Sequence, residues 1–281
     1  MPLADNLTSI RYLLTDVDDT LTTDGRLLPE TLAALYRLED AGIDVIPVTG
    51  GCAGWCDQMI RLWPVPAVIG ENGAFYFVRD PTGKVEFHSW DTPEAGLASR
   101  QRLLNIAEVA MACVPALRLA KDQPYRLSDV ALDHGQDVSG VSAEDIDRAL
   151  ATFREAGANA RASSIHINAW FGDYSKQAMA QRLLQQKYGL TEPNIQQYVA
   201  FVGDSPNDES MFAYLTHTFG VANIGRWLDR MTHHPRYLLA QRGGIGFSEL
   251  ATLLLRAQRR ESKADIGGND GRSILANGKG P

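Results

Sequence analysis

The sequence predicts an α/β fold built on a parallel sheet, with a separate α+β module inserted into it. Apolar, strand-like runs alternate with helical stretches in the first and last parts of the chain, and this alternation is typical of parallel sheets covered by helices. The middle of the chain loses the alternation and has antiparallel patterns instead. With 281 residues, 44% of them apolar, the chain is long enough for two such units.

The first parallel part is predicted to contain a strand at 10–17, a helix from Pro29 to Gly42, a strand at 43–48, a helix at 52–62 and a strand at 67–70. Pro29 suits the first helical turn, and Gly42 suits the position just after the last turn. Pro47 is unexpected in the second strand, because a central strand uses its N–H groups in the ladder.

The middle of the chain is predicted to begin with a hairpin at 75–90 and to end with an antiparallel strand at 160–171. After residue 172 the alternation resumes, with a helix at 175–188, a strand at 198–202, a helix at 207–215, strands at 218–222 and 236–240, and a helix at 247–260. The predicted core domain is therefore 1–83 with 172–260, and the inserted domain is 84–171. The polar, Gly-rich segment 261–281 is predicted to be disordered.

Net charge and cysteine content exclude several classes of function. A protein with a net charge of −7 lacks the broad positive field that binding to nucleic acids or anionic membranes requires. Three cysteines suit neither a disulfide framework nor a four-ligand zinc site. The sequence has no apolar run that could span a bilayer and no basic, apolar leader, so we expect a cytoplasmic protein with a small-molecule partner. Its oligomeric state is left open.

The first chemical motif is Asp16-Val17-Asp18-Asp19-Thr20, which directly follows a buried strand. Ligands of open α/β sheets bind at the carboxyl ends of the strands. At that position the Asp16 carboxylate can attack phosphorus, and Asp18 can protonate the leaving oxygen and later activate water. Taken alone the motif is weak, because acidic residues also cap ordinary turns.

The second motif is the GDSPND segment from Gly203 to Asp208, which also follows an apolar strand. If Asp204 and Asp16 meet in space, their carboxylates form a hard-oxygen site suited to Mg²⁺. Asp208 could support the ion through water, although an acid at the start of a helix is also a common stabilising feature. Asn207 could donate a hydrogen bond to phosphate.

Two further elements could contact a phosphate. Thr49 and Gly50 lie between a strand and a helix, where a hydroxyl and backbone N–H groups can hold an anion. Lys176, at the start of a predicted helix, could balance the charge of phosphate and Asp16. The alternative interpretations are an ordinary strand-to-helix turn for Thr49 and Gly50, and a solvated side chain for Lys176.

These four elements, in this order, resemble the motifs of the haloacid dehalogenase (HAD) superfamily over nearly the whole chain up to about residue 260. The resemblance implies a Rossmann-like core in which Asp16 is the nucleophile and Asp18 the general acid and base. It also implies that Thr49 and Lys176 hold the phosphate. The implied Mg²⁺ ligands are the Asp16 carboxylate, the Asp18 backbone carbonyl and Asp204, with Asp208 in support.

The position of the insert narrows the resemblance. Only eight residues separate Thr20 from Pro29, so the extra module must lie between Thr49 and Lys176. That position is similar to the type 2B cap of subfamily IIB, the Cof-like and sugar-phosphatase group. The Glu71-Asn72-Gly73-Ala74 segment and the INAWFGDYSK segment at 167–176 resemble recurring segments of that group.

This sequence departs from the family pattern at Pro47, at Asp19, where Gly is frequent, and at Gly51, where Arg is frequent. None of these departures removes a group that the chemistry needs, but they weaken any inference of the substrate from the family. Cap residues facing the site should set specificity, and the candidates are Arg118, Lys121, Arg126, Arg161, His166 and Trp170. Trp55 and Trp63 could stack on a sugar or belong to the core.

The resemblance therefore predicts a Mg²⁺-dependent phosphatase that hydrolyses a small phosphorylated metabolite, foremost a sugar phosphate, through an aspartyl-phosphate. Two alternatives stay open. A phosphotransferase of the phosphomannomutase type shares the core and delivers the phosphoryl group to a second hydroxyl. A non-catalytic binding protein could keep the fold, although Asp16, Asp18 and Asp204 are all present.

Overall fold

The computed structural model describes residues 7–267, which form twelve strands and eight helices. The strands are β1 (Tyr12–Thr15), β2 (Asp44–Pro47), β3 (Ala67–Gly70), β4 (Phe75–Arg79), β5 (Val85–Ser89), β6 (Arg118–Leu119), β7 (Val130–Asp133), β8 (Asn159–Ala162), β9 (His166–Trp170), β10 (Val199–Gly203), β11 (His217–Gly220) and β12 (Tyr237–Leu238). The helices are α1 (Pro29–Asp40), α2 (Ala53–Leu62), α3 (Pro93–Cys113), α4 (Ala143–Glu155), α5 (Lys176–Tyr188), α6 (Glu192–Tyr198), α7 (Glu209–Tyr214) and α8 (Gly243–Gly267).

The core is a five-stranded parallel sheet in the order β12-β11-β10-β1-β2, which confirms the predicted fold class. Consecutive residues of β1 face opposite layers, since side chains alternate across a strand. Leu13 packs in the layer that contains α1 and α8, and Leu14 packs in the layer that contains α5 and α7. β3 lies beside β2 through a parallel bridge between Val48 and Ile69, and β3, β4 and β5 continue as an antiparallel sheet.

Pro47 fits into β2 because its nitrogen faces away from β1. Asp44 N donates to Arg11 O at 2.9 Å and Val48 N donates to Thr15 O at 2.8 Å, so alternate residues serve the ladder with β1. The nitrogen of Pro47 therefore points to the β3 side. The missing N–H leaves the central pairing of β1 with β2 intact.

The inserted domain is a four-stranded antiparallel sheet in the order β6-β7-β9-β8, covered on one face by α3 and α4. The prediction of one strand at 160–171 was wrong, since β8 and β9 are two strands of a hairpin. The turn between them is closed by Ser163, whose N–H donates to His166 O at 2.8 Å and whose hydroxyl accepts from His166 N at 3.0 Å. Serine hydroxyls compete for backbone groups in this way and favour turns.

The pairing of β4 with β5 runs from Phe75–Ser89 to Arg79–Val85, so a domain limit between 83 and 84 would divide a hairpin. We propose instead that the cap begins after β5, with α3. α8 extends to Gly267, so this helix continues past residue 261, where the segment predicted to be disordered begins. Residues 268–281, the rest of the predicted tail, lie outside the described residues. Between residues 7 and 267, no helix is both long and apolar enough to cross a bilayer.

The inserted domain, called the cap here, is linked to the core by hydrogen bonds to the carboxylate of Glu71. This residue follows β3 and is fully buried. Its Oε1 accepts from Leu127 N at 2.8 Å and from Ala53 N at 3.3 Å. Its Oε2 accepts from Ser128 N at 2.7 Å and from Asp129 N at 3.2 Å. One core carboxylate thus satisfies three consecutive backbone donors of the cap and one donor at the start of α2.

Arg126 makes the second link between cap and core, and it is also fully buried. Its guanidinium donates to Gly50 O at 2.9 Å, to Asp129 Oδ1 at 2.9 Å and to Asp122 Oδ2 at 3.0 Å. Each of its three nitrogens donates to at least one protein acceptor. Arg126, a candidate for substrate specificity in the sequence, therefore has a structural role in this fold.

We predict that Glu71→Gln destabilises the folded protein by about 2–3 kcal/mol, because an amide nitrogen replaces an acceptor that serves two buried N–H groups. Urea unfolding measures this free energy. The control is Glu30→Gln in the exposed first turn of α1, which should change stability by less than about 0.5 kcal/mol. Equal effects of the two substitutions would contradict the role given to Glu71.

A second prediction concerns His166, which is buried and whose Nε2 has no partner within residues 7–267. Burial, together with Arg126, lowers the pKa of His166 below its ordinary value of 6.5. In the unfolded chain His166 keeps its ordinary pKa of about 6.5, so below that pH the unfolded chain binds a proton that the folded protein does not. The free energy of unfolding therefore falls as the pH falls below about 6.5. His166→Gln removes this term and should narrow the difference in unfolding free energy between about pH 7.5 and about pH 5. The exposed His233→Gln is the control, and an unchanged difference in His166→Gln would refute the assignment.

Candidate active site

The two acidic motifs lie side by side because β1 and β10 are neighbouring parallel strands. Asp16 follows the last residue of β1, and Asp204 follows the last residue of β10. The N–H of Asp16 donates to Val202 O at 2.9 Å, which extends the pairing to the motif itself. Both carboxylates therefore emerge at the carboxyl edge of the sheet, where ligands of open α/β folds bind.

Three carboxylates meet at this edge. Asp16, Asp204 and Asp208 each place an oxygen within 4.8 Å of the others, and all three side chains are buried. The Asp208 carboxylate is held by backbone donors, since its Oδ2 accepts from Asp204 N at 2.9 Å. A Cβ at Gly203 would lie 2.3 Å from this oxygen, so the turn requires glycine. The Asp18 carboxylate is not part of this cluster.

Lys176 joins two of these carboxylates. It begins α5, where the Ser175 hydroxyl accepts from Ala178 N at 3.1 Å as the helix cap. Its Nζ donates to Asp16 Oδ1 at 2.6 Å and to Asp208 Oδ1 at 2.7 Å. Burial opposes the ammonium charge, but the two carboxylates outweigh it and raise the pKa of Lys176. The lysine is therefore charged and fixed beside Asp16.

When its three carboxylates are ionised, the cluster has more negative charge than Lys176 balances, and this excess fits a divalent cation. Burial raises the pKa of Asp16 and of Asp204, although Lys176 partly offsets this for Asp16. Oδ1 of Asp204 is buried and has no partner among residues 7–267, whereas its Oδ2 accepts from Asn223 Nδ2 at 2.9 Å. Mg²⁺ prefers oxygen ligands of this kind and would offset the charge.

Asp18 lies near the cluster and has different properties. Its side chain is half-buried, and burial and the neighbouring Asp19 carboxylate raise its pKa to about 6. A carboxyl group with this pKa can give up and regain a proton near neutral pH. Asp18 is therefore suited to acid–base chemistry, and Asp16, held by Lys176, is suited to nucleophilic attack.

Thr49 and Gly50 follow β2, the strand next to β1, and so reach the same sheet edge. The buried Thr49 hydroxyl accepts from Gly51 N at 2.9 Å, which leaves its own proton available to a ligand. A Cβ at Gly50 would lie 3.1 Å from both Asn72 Nδ2 and Asn168 Oδ1. The loop therefore packs closely between the core and cap amides, and Arg126 holds its carbonyl.

A cavity of about 210 Å³ lies between core and cap beside Lys176. Its walls come from the core and from the cap hairpin β8–β9: Asn72, Asn159, Arg161, Trp170, Gly172, Asp173, Tyr174, Ser175, Lys176, Pro206, Asn207 and Ser210. Of the cap candidates, Arg161 and Trp170 line it. A larger cavity of about 740 Å³ lies at the amino-terminal end of β2 and contains none of the motif residues.

Two other cap candidates, Arg118 and Lys121, do not line this cavity. Arg118 donates to Pro115 O at 2.6 Å and to Leu117 O at 2.7 Å, within its own loop. Lys121 pairs with Asp137 at 3.1 Å. Trp55 is exposed, and Trp63 packs against the core and lines the larger cavity.

Sequence reasoning missed Asn223. This residue follows β11, and its Nδ2 donates to Asp204 Oδ2 at 2.9 Å and to Asp19 O at 3.1 Å. A polar residue shortly after an apolar strand was the available signal, the same one that identified Asp16 and Asp204. Asn168 of the cap also reaches the Gly50 carbonyl, at 3.4 Å, and no local pattern indicates that contact.

No family model matches the chain. A phosphoglycolate phosphatase from Pyrobaculum neutrophilum is 26% identical over 249 residues, which cover 87% of this chain and 96% of that protein.

Solved structures match over most of the chain. A Thermoplasma acidophilum protein has a TM-score of 0.65 at 19% identity, covering 87% of this chain and 98% of its own. The sucrose-phosphatase of Synechocystis sp. PCC6803 has a TM-score of 0.61 at 16% identity, covering 88% and 98%. A HAD subclass IIB sugar phosphatase has a TM-score of 0.54 at 12% identity, covering 92% and 99%. The fold implied by the motif resemblance is confirmed: over most of its length the chain has the fold of these proteins, one of which is a haloacid dehalogenase subclass IIB sugar phosphatase.

Proposed function

We propose that this protein is a Mg²⁺-dependent phosphatase that transfers the phosphoryl group of a small metabolite to Asp16 and then hydrolyses it. The observation that carries the proposal is the buried cluster of Asp16, Asp204 and Asp208, with Lys176 bonded to two of its members. The phosphatases among the similar proteins support the same class of reaction.

The proposed reaction has two steps. An oxygen of Asp16, oriented by Lys176, attacks phosphorus, and the bond from phosphorus to the leaving oxygen breaks while Asp18 donates its proton to that oxygen. A water molecule then attacks the phosphorus of the aspartyl-phosphate and gives a proton to Asp18, which releases phosphate and restores Asp16. Lys176 and the donors of Thr49, Gly50 and Asn207 are proposed to hold the phosphoryl oxygens.

The proposed metal ligands are the carboxylates of Asp16 and Asp204 and the backbone carbonyl of Asp18, with Asp208 in support. Mg²⁺ bound there would neutralise negative charge on the carboxylates and on the phosphoryl group. Asp208 also holds Lys176 at 2.7 Å, so the chain itself keeps the cation of Lys176 next to the nucleophile.

The family resemblance favours a sugar phosphate as substrate, and two of the similar structures are a sucrose-phosphatase and a sugar phosphatase. The phosphoglycolate phosphatase points to a phosphorylated acid instead. A cytoplasmic location is retained as a prediction, and the free thiols of Cys52, Cys56 and Cys113 are compatible with it.

We predict that Asp16→Asn abolishes phosphate release, because an amide is a poor nucleophile, while the fold is retained. The measurement is release of inorganic phosphate from a panel of phosphorylated sugars and acids, with and without Mg²⁺. The control is Asp24→Asn at an exposed aspartate, which should keep wild-type rates. Activity that survives Asp16→Asn would reject the nucleophile, and transfer to an added sugar without phosphate release would favour the phosphotransferase.

We predict that Asp204→Asn weakens Mg²⁺ binding by about 10-fold or more, because it removes a buried anionic ligand. Isothermal titration calorimetry with Mg²⁺ measures this without any substrate. Asp24→Asn should bind the ion as the wild type does. Equal affinity in Asp204→Asn and the wild type would show that the ion binds elsewhere.

A further inference from the structure

The cavity between core and cap limits what can be attached to the phosphoryl group. Its volume of about 210 Å³ is below the roughly 300–1,000 Å³ typical of small-molecule sites. Lys176, which is bonded to Asp16, and Asn207 belong to its core side, so a phosphoryl group at Asp16 would direct the rest of the substrate into this space. A leaving group of a few carbon atoms fits such a cavity.

The cavity wall is rich in hydrogen-bond donors. Asn72 is 2% exposed, and its Nδ2 has no partner in the described part of the chain. Asn207 uses its amide oxygen to accept from the Ser205 hydroxyl at 2.8 Å, so its Nδ2 remains to donate. The one carboxylate in the wall, Asp173, accepts from Trp90 Nε1 at 3.1 Å. A sugar would need acceptors for its hydroxyl protons, whereas a carboxylate only accepts.

Arg161 adds a positive charge to this wall from the cap side. It lies in β8, opposite Asn168 of β9, and β8 contacts the 206–208 turn that carries Asn207. Its neighbours Ala160 and Ala162 are buried against the cap helices, so Arg161 projects from the other face of the cap sheet. No ion pair within 4.0 Å and no hydrogen bond involves its guanidinium among residues 7–267, and the carboxylate of Glu209 feels its charge only from a longer distance.

We propose that Arg161 binds a carboxylate on the leaving group, so that the substrate class is the phosphorylated short hydroxy acid. This inference rests on the proposed phosphatase function and names its substrate. The guanidinium can form two parallel hydrogen bonds with a carboxylate, which no sugar hydroxyl can match. The phosphoryl group itself has its own donors at Thr49, Gly50 and Lys176, so Arg161 is left for the other end of the substrate.

The test compares three substrates: phosphoglycolate, hydroxyethyl phosphate and glucose phosphate. Hydroxyethyl phosphate is similar in size to phosphoglycolate but has a neutral hydroxyl in place of the carboxylate, and it is called the neutral ester below. Steady-state kinetics are measured for the wild type, Arg161→Gln, Arg161→Lys and the control Arg118→Gln, whose arginine lies outside the cavity. The wild type should prefer the acid. Arg161→Gln should lower kcat/KM for the acid by about 10- to 100-fold, chiefly through KM, and leave the neutral ester unchanged.

Arg161→Lys should recover part of the loss, because the charge returns without the bidentate geometry. Thermal unfolding of each variant separates a folding defect from lost recognition. Equal losses for acid and neutral esters in Arg161→Gln would place this arginine on the phosphoryl group and overturn the inference while the phosphatase stands. A wild-type preference for glucose phosphate would overturn it as well. No turnover of any compound in folded, Mg²⁺-binding protein would reject the proposed function and the inference with it.

Discussion

The bond between Lys176 and Asp16 is the interaction on which the site depends. Three buried carboxylates whose oxygens lie within 4.8 Å of one another repel each other, and burial further disfavours their ionised forms. The ammonium of Lys176 donates to Asp16 and Asp208. The backbone N–H groups of Asp204 and Ser205 also donate to Asp208, and the amide of Asn223 donates to Asp204. Fixed donors thus stabilise the buried carboxylates of this cluster. Fixed donors in a buried site are also what stabilises the charge that develops during a reaction.

The attachment of the cap follows a similar rule. A buried carboxylate on the core, Glu71, accepts from consecutive cap N–H groups, and a buried guanidinium on the cap, Arg126, donates to the carbonyl of Gly50. The first of these links connects the cap to the segment that follows β3, and the second connects it to the loop that follows β2. Because Gly50 is also packed against Asn72 and Asn168, the position of the cap hairpin and the position of the loop that contains Thr49 and Gly50 are set together.

Local sequence patterns were sufficient to predict the order of strands and helices in the core, because the apolar runs, the helix ends and the acids at strand ends all indicate the same order. The observed pairing of β1 with β10 brings Asp16 and Asp204 together as expected. They failed where pairing between distant segments decides the outcome. The strand predicted at 160–171 is divided because Ser163 closes a turn onto His166, and Arg126 is structural because residues 76 positions apart in sequence meet at Gly50. Sequence spacing carries no information about such contacts.

Asp19 is the departure from the family pattern with the clearest structural consequence. Its backbone has a φ of 58°, a conformation that glycine adopts freely and that aspartate tolerates better than most residues. Its carboxylate adds negative charge beside the cluster of Asp16, Asp204 and Asp208. Two residues of the turn after β11, Asn223 and Arg226, offset this charge. Arg226 approaches Asp19 at 3.9 Å and Asp204 at 4.0 Å, and Asn223 donates to Asp204 and to the carbonyl of Asp19. Asp19 therefore needs no buried counterion, because the partly exposed Arg226 and the amide of Asn223 are enough to accommodate its charge.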